Sequence, residues 1–134
     1  MSGRIRVHGD GGSRGNPGPA AAAAVLLTAS GEIIEKRSEF MGVATNNQAE
    51  YLAVELGLRA LHELGHTQAD FFLDSQLVVR QLNGQYKVKH PDMKLAFDRI
   101  QKLKKGLDVT FTHLLRSDNS IADKVVNECL DAHL

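Results

Sequence analysis

Arg4-Ile-Arg-Val-His-Gly-Asp10 opens the first regular element of the chain. Ile5, Val7 and Gly9 alternate with Arg6, His8 and Asp10, the period of two that sends successive side chains to opposite faces of a strand. Asp10 therefore points away from the Ile5/Val7 face. It also meets Gly11-Gly-Ser-Arg-Gly-Asn-Pro-Gly-Pro19, a stretch so rich in turn formers that we expect it to end the element. Residues 20–29 are ambiguous at first sight, because Ala20 to Ala24 favour helix by propensity. The segment is bounded by Pro19 and Ser30-Gly31 and finishes in Val25-Leu-Leu-Thr28. It is shorter than most helices, so its length and ends point to a buried strand. Ser30-Gly31 then turns the chain into a third strand, from Glu32 to about Met41. Three strands joined by short turns are an antiparallel meander.

Beyond the meander the period changes. Ala49, Leu52, Ala53, Leu56, Ala60 and Leu64 form an apolar stripe at helical spacing, which predicts a helix over 46–64. Thr45 and Gln48 fit a capping box at its start, and Gly65 fits its stop. Residues 69–74 read as a short strand, and Ser75 caps a brief helix through Leu82 that Asn83-Gly84 ends. Pro91 suits the first turn of a helix with the stripe Met93, Phe97, Ile100 and Leu103, stopped by Gly106. Residues 108–115 form a strand with Val109, Phe111, His113 and Leu115 on one face; residues 119–133 form a last helix with Ala122, Val125, Val126 and Cys129 on its apolar side. Strands that alternate with helices imply parallel crossovers. The expected architecture is α/β: one mixed sheet with helices packed on it, in a single domain over residues 1–134.

Composition excludes several classes. With 134 residues, 43% hydrophobic and 24% charged, the chain is neither disordered nor collagen-like. Its one cysteine, Cys129, forms no internal disulfide. No run approaches the ~20 apolar residues of a membrane span, and Met1-Ser-Gly-Arg-Ile-Arg lacks the apolar core of a signal peptide. A cytoplasmic protein with no membrane association is the expectation. Lysine plus arginine and aspartate plus glutamate each number 16, so net charge gives no argument for nucleic acid. The charge is nevertheless polarised: Lys87, Lys89, Lys94, Arg99, Lys102, Lys104 and Lys105 face only Asp92 and Asp98 within 87–105. That segment is either a solvated helix face or a phosphate-binding surface.

The sequence holds no metal-ligand cluster of histidine and cysteine, no G-x-S-x-G, no P-loop and no dinucleotide fingerprint. Gly12-Ser-Arg-Gly-Asn-Pro-Gly18 resembles a phosphate loop only loosely, and a strand rather than a helix follows it. Acids in apolar surroundings stand out instead. Asp10 and Asp74 each end a strand, Glu50 lies in the first turn of the long helix close to its apolar stripe, and Asp123 sits beside Ala122 in the last helix. A lone strand-end aspartate is commonly a cap or turn former. Two such ends on neighbouring strands lie roughly 5 Å apart, and carboxylates that close do not all stay ionised unless cations neutralise them. Hard oxygen ligands suit Mg²⁺ or Mn²⁺, and two such ions about 4 Å apart can drive phosphodiester cleavage.

Four blocks carry a resemblance: Asp10-Gly-Gly-Ser-Arg-Gly-Asn-Pro-Gly-Pro19, Thr45-Asn-Asn-Gln-Ala-Glu50-Tyr, Asp74-Ser-Gln-Leu-Val, and His113-Leu-Leu-Arg-Ser-Asp-Asn-Ser-Ile-Ala-Asp123. Together they resemble the signature blocks of type 1 ribonuclease H, in the family's order and spacing, over about residues 4–131. The resemblance implies a five-stranded mixed sheet, three antiparallel strands followed by two parallel ones, flanked by helices. It also implies a metal-dependent endoribonuclease that cuts the RNA strand of RNA/DNA hybrids and leaves a 3′-hydroxyl and a 5′-phosphate. By similarity, Asp10, Glu50, Asp74 and Asp123 are the catalytic carboxylates and the ligands of two Mg²⁺ ions, with Mn²⁺ a possible substitute. Asp10 bridges the ions, Asp123 completes the one that activates water, and Glu50 and Asp74 hold the one at the leaving oxygen. Glu50 also contacts a ribose 2′-hydroxyl, the group that separates RNA from DNA.

The same resemblance assigns Asn16, Asn46 and Gln76 to the minor groove of the hybrid and Thr45 to a DNA-strand phosphate. Thr45 could equally serve as a helix cap, or as both, since a helix N-terminus is an anion site. Three departures from the family pattern stand out. The usual loop histidine before the fourth carboxylate is missing, so His113 reads as structural and Arg116 as a possible auxiliary near the scissile phosphate. The Trp-containing basic protrusion is absent, Tyr86-Lys-Val-Lys-His90 spanning its place. The run Ala20–Ala24 replaces a more usual glycine and aromatic mix. A monomer with no protein partner is expected. The alternatives are a catalytically weak hybrid- or duplex-binding relative, and an integrase-like nuclease on the same fold.

Overall fold

A computed structural model describes residues 4–134; Met1, Ser2 and Gly3, part of the N-terminal stretch and of the 1–134 domain discussed above, lie outside the described residues. Along the chain run β1 (Ile5–Ser13), β2 (Gly18–Leu27), β3 (Ile33–Ala44), α1 (Asn46–Leu64), β4 (Gln68–Leu73), α2 (Gln76–Leu82), α3 (Pro91–Leu103), β5 (Asp108–His113) and α4 (Ser120–His133), with a single 3₁₀ turn at Arg116–Asp118 before α4. The strands form one sheet in the order β3-β2-β1-β4-β5. The β1/β2 and β2/β3 pairs are antiparallel, and β1/β4 and β4/β5 are parallel. This is the mixed sheet the sequence implies, with β1 at its centre.

The two faces of β1 and β2 follow the period-two pattern. Ile5, Val7, Ala22, Ala24 and Leu26 pack under α1, whose Ala53, Val54, Leu58 and Leu61 are fully buried. Ala21, Ala23, Val25 and Leu27 face α4 through Val125, Val126 and Leu130. The alanine run is therefore a strand buried on both faces, and its small side chains let helices approach from either side. The caps of α1 are as expected: Thr45 and Gln48 complete the capping box, and Gly65 ends the helix in the left-handed conformation at φ 78°. Pro91 begins α3, and Ser75 caps α2 by accepting from the Val78 N–H.

Several boundaries differ from expectation: β2 takes in Gly18 and Pro19 and stops at Leu27, β4 stops at Leu73, and α4 starts at Ser120. β1 does not stop at Asp10 but runs on to Ser13, with Gly11, Gly12 and Ser13 paired to Ala22, Ala21 and Ala20. Glycines that read as turn formers here serve a strand that must be approached closely; the turn itself begins at Arg14. A Cβ on Gly11 would lie 2.2 Å from the Ala49 carbonyl carbon and 2.4 Å from the Glu50 nitrogen, so the main chain of α1 rests directly on the main chain of β1. β3 extends to Ala44, with register irregularities opposite Ala20/Ala21 and Leu26/Leu27. β5 ends at His113, and Leu115 is exposed at the entry to the 3₁₀ turn.

α3 is tied to α1 by charge as well as by apolar packing. Glu55 of α1 is 2% exposed and hydrogen-bonds Arg99 of α3, with Arg59 one turn along at 3.9 Å. A buried carboxylate is tolerable only when paired in this way. The tight seat at Gly11 sets the clearest stability test. Gly11→Ala should lower unfolding free energy by about 3 kcal/mol, since main-chain atoms have no rotamer by which to yield; urea titration of both proteins measures it.

Candidate active site

Asp10 and Asp74 are brought together by register. Gly9 of β1 pairs with Leu73, the last residue of β4, in the parallel ladder, so the next residue along each segment is an acid, and neighbouring strands lie about 4.8 Å apart. Glu50 comes from the other side. It stands at the start of the second turn of α1, one residue past the first turn that the sequence suggests, and the Gly11 seat carries it down to the sheet. Oxygens of Asp10, Glu50 and Asp74 lie within 4.8 Å of one another. Asp123, in the first turn of α4, lines the same cleft of about 490 Å³ but stands outside this trio.

The trio is electrostatically strained. Burial pushes the Asp10 carboxyl up from 3.8 to about 7, with the charges of Asp74 and then Asp123 adding to the effect. Glu50 is held well above the ordinary carboxylate range, first by burial and then by Asp10 and Asp74. Its Oε1 accepts from the Gly11 N–H at 3.1 Å, while its Oε2 is buried without any hydrogen-bond partner. Desolvated carboxylates stacked against each other, one oxygen of them orphaned, form a set of hard donors that a divalent cation would complete. Arg116 stands at the rim, 4.0 Å from Asp123 and largely exposed.

The chain resembles known proteins along nearly its whole length. Residues 8–129 match the family described as "Reverse transcriptase-like". A protein named Ribonuclease HI from Halobacterium salinarum is 42% identical over 130 residues, 96% of this chain and 65% of that protein. The crystal structure of RNase H1 from the same archaeon superposes with a TM-score of 0.92 at 41% identity, covering 97% of this chain and 99% of the other. LC11-RNase H1, solved in complex with an RNA/DNA hybrid, gives a TM-score of 0.93 at 37% identity, again over 97% and 99%. The chain belongs to the type 1 ribonuclease H family. It spans only 65% of the curated Halobacterium relative, and 36% of a bifunctional Mycobacterium tuberculosis protein to which it is 39% identical.

The residues that the family resemblance assigns to substrate fall into two groups. Asn16, Thr45 and Asn46 share a second cleft of about 470 Å³ with His90, Asp92 and Met93, and Asn46 lines the acidic cleft as well. There Asn16 Oδ1 accepts from the Asn46 N–H at 3.1 Å, and Asn46 Oδ1 accepts from the Ser13 N–H at 2.8 Å. Thr45 Oγ1 accepts from the Gln48 N–H at 3.2 Å, so its cap role is occupied. Gln76 is the first residue of α2 and exposed; its neighbour Ser75, not Gln76, lines the acidic cleft. His113 is the exposed last residue of β5.

Sequence reasoning misses a buried polar pair beside the acids. His8 Nδ1 lies 3.0 Å from Asn119 Oδ1, and burial lowers the affinity of that imidazole for a second proton. The only signal for Asn119 is its place at the start of the last helix, where an asparagine is commonly an ordinary cap. Sequence reasoning also misses Arg14, which lines the cleft and reaches Asp131 of α4 at 2.7 Å.

The carboxylate shifts set the sign of a stability test. Because Asp10 binds its proton more tightly folded than unfolded, its contribution to metal-free stability is full below the unfolded pKa, near 4, and is lost as pH rises through about 7. In EDTA, unfolding free energy should therefore fall between pH 5 and pH 7.5. Asp10→Asn should flatten that slope and raise Tm at pH 7.5 by on the order of 5 °C. Thermal melts across that pH range, with and without Mg²⁺, measure both effects.

Proposed function

We propose that this chain is a metal-dependent endoribonuclease that hydrolyses the RNA strand of RNA/DNA hybrids, leaving a 3′-hydroxyl and a 5′-phosphate. The observation that carries the reading is the meeting of Asp10, Glu50 and Asp74 from three separate elements, with one buried Glu50 oxygen unsatisfied. Family membership and the hybrid bound to the LC11 relative support it. In this reading residues 1–134 are one ribonuclease H domain, acting as a monomer in the cytoplasm.

The cofactor is two Mg²⁺ ions, with Mn²⁺ a substitute, held by Asp10, Glu50, Asp74 and Asp123. When bound, such ions supply an activated water and charge stabilisation at the leaving 3′-oxygen. The chain's own residues do the rest. Asp10 faces both halves of the site, towards Glu50 and Asp74 on one side and Asp123 on the other. Glu50, pinned through the Gly11 N–H, presents its second oxygen to the cleft and contacts a ribose 2′-hydroxyl, which gives selection for RNA. Asn16, Asn46 and Gln76 read the shape of the minor groove, whose donor and acceptor pattern is too degenerate for sequence readout. Thr45 at the N-terminus of α1 receives a DNA-strand phosphate, and Arg116 stands beside Asp123 as an auxiliary near the scissile phosphate.

An end-labelled RNA/DNA hybrid with Mg²⁺ or Mn²⁺, beside single-stranded RNA and duplex DNA, tests the reading. RNA-strand cuts should occur in the hybrid alone, and Asp10→Asn should reduce kcat by on the order of 100-fold or more. Tight hybrid binding without cuts from either metal would overturn it in favour of a binding module. A second test concerns the basic segment. Replacing Lys87 and Lys89 with Ala should raise KM and flatten its salt dependence, by about one unit of log–log slope for each phosphate no longer neutralised. An unchanged slope would make them a solvated surface only.

A further inference from the structure

Asn119 occupies a place that its own helix does not explain. It is the cap residue of α4 and is completely buried. An Asn there ordinarily accepts from the second or third helical N–H, yet Asn119 makes no such bond. Its side chain turns into the sheet instead. Nδ2 donates to the Gly9 carbonyl at 2.8 Å, and Oδ1 meets His8 Nδ1 at 3.0 Å. A carbonyl can only accept, so the amide nitrogen is committed to Gly9 and the amide oxygen faces His8. His8 must then carry its proton on Nδ1. Both partners are on β1, one and two residues before Asp10. On its main-chain side, the Asn119 carbonyl accepts from the N–H of Asp123 at 3.2 Å. One buried residue thus links the strand of Asp10 to the helical turn of Asp123.

Farther along α4, Asp131 meets Arg14 at 2.7 Å and the His133 ring stacks on Phe40 at 4.5 Å, both at the surface; the rest of its hold on the sheet is apolar. Val125, Val126 and Leu130 rest on Ala21, Ala23 and Val25, a surface of small, similar side chains that resists separation more than sliding or rotation. Asp123 itself is partly exposed, and its nearest cation, Arg116, is 4.0 Å away on a largely exposed side chain. The Asp131 and His133 contacts lie on the second half of α4, so at its first turn, which carries Asp123, the two amide bonds of Asn119 are the buried directional restraint to β1. We propose that Asn119 is a positioning residue that sets where the Asp123 carboxylate stands relative to Asp10, and that the Nδ1–H of His8 fixes the orientation of Asn119. The inference rests on the hydrolytic reading above, in which Asp123 is the fourth carboxylate.

The test combines steady-state cleavage of an RNA/DNA hybrid with Mn²⁺ titration followed by electron paramagnetic resonance, and with melting curves. A misplacement of about 1 Å is worth roughly 100-fold in rate, so Asn119→Ala should lower kcat by about 10- to 100-fold while KM stays within about twofold. Mn²⁺ affinity should weaken in the same variant. Because Asn119 acts through Asp123, adding Asn119→Ala to Asp123→Asn should cost little further; a purely structural role would give additive losses. His8→Phe, which keeps a ring beside Phe72 but removes the donor, should lower kcat by several-fold. His8→Asn, whose amide can donate from the same place, should restore most of it. A folded Asn119→Ala protein with wild-type kcat and Mn²⁺ affinity, or full additivity with Asp123→Asn, would overturn the proposal. If Asn119→Ala does not fold, the His8 pair decides, and equal kcat for Phe and Asn at position 8 overturns it. If the wild-type protein cuts no hybrid, the hydrolytic reading fails, and Mn²⁺ affinity alone then judges the bridge: weakened in the variant upholds it, unchanged overturns it.

Discussion

The contact between the main chain of α1 and the main chain of β1 at Gly11 is the constraint on which the rest of the site depends. Helix and sheet ordinarily meet through side chains. Here a missing Cβ lets Ala49 and Glu50 settle directly on the strand, which brings a glutamate from a helix against an aspartate in the middle of a sheet. The Gly11 N–H then donates to Glu50 Oε1, so the residue that permits the approach also orients the side chain it admits. The alanines of β2 extend the same principle across the sheet. Opposite Asp10, Gly11 and Gly12 stand Ala23, Ala22 and Ala21, small enough for helices to lie close on both faces.

That closeness carries an electrostatic cost. Asp10 and Glu50 are buried against one another and against Asp74, and both are held toward their protonated forms. Elsewhere the fold treats buried charge differently: Glu55, nearly as deep as any apolar side chain of α1, is answered by Arg99 and Arg59. Arg4 likewise ties Asp70 and Asp108 at the opposite ends of β4 and β5. One end of the sheet therefore has its acids matched by protein cations, while at the other no cation among the described residues forms a salt bridge with Asp10, Glu50 or Asp74. A protein able to place arginines against acids, and placing none within the trio, concentrates its unsatisfied charge where a divalent cation would bind.

The elements with strong local signals are legible in the sequence. The capping box at Thr45 and Gln48, the glycine stop at 65 and the helical stripe between them define α1 to the residue, because cap chemistry is local. Asp10 and Asp74 are visible as acids after apolar strands, and their pairing follows once the strands are neighbours. What is not legible depends on distant partners. Gly11 and Gly12 carry a turn signal by type, yet they are strand because Ala21 and Ala22 pair with them and α1 needs the space. The end of β5 at His113 is set by the entry into the 3₁₀ turn, not by the apolar character of Leu115. Asn119 reads as part of a helix start, and nothing local distinguishes an asparagine that caps its helix from one that reaches 110 residues back to Gly9.

The basic run at 87–105 shows how a charge pattern along the chain becomes an arrangement in space. Arg99 is turned inward to Glu55, Lys94 lies 3.5 Å from Asp98 on its own helix, and the Lys104 ammonium sits over the Phe111 ring at 5.5 Å. These three explain themselves as structure. Lys87 and Lys89 differ, for they lead into His90 and Asp92, which line the cleft shared with Asn16, Thr45 and Asn46. An acidic centre repels phosphates as strongly as it attracts metal ions, so a polyanion must be held by ground outside it. The cleft that Asn16, Thr45 and Asn46 share at the N-terminus of α1 adjoins the acidic one, Asn46 and Asn47 lining both, and amides beside a helix N-terminus are ground of the kind a polyanion could use. The zero net charge of the whole chain is then the sum of two opposed local fields, the basic segment at 87–105 and the acids outside it.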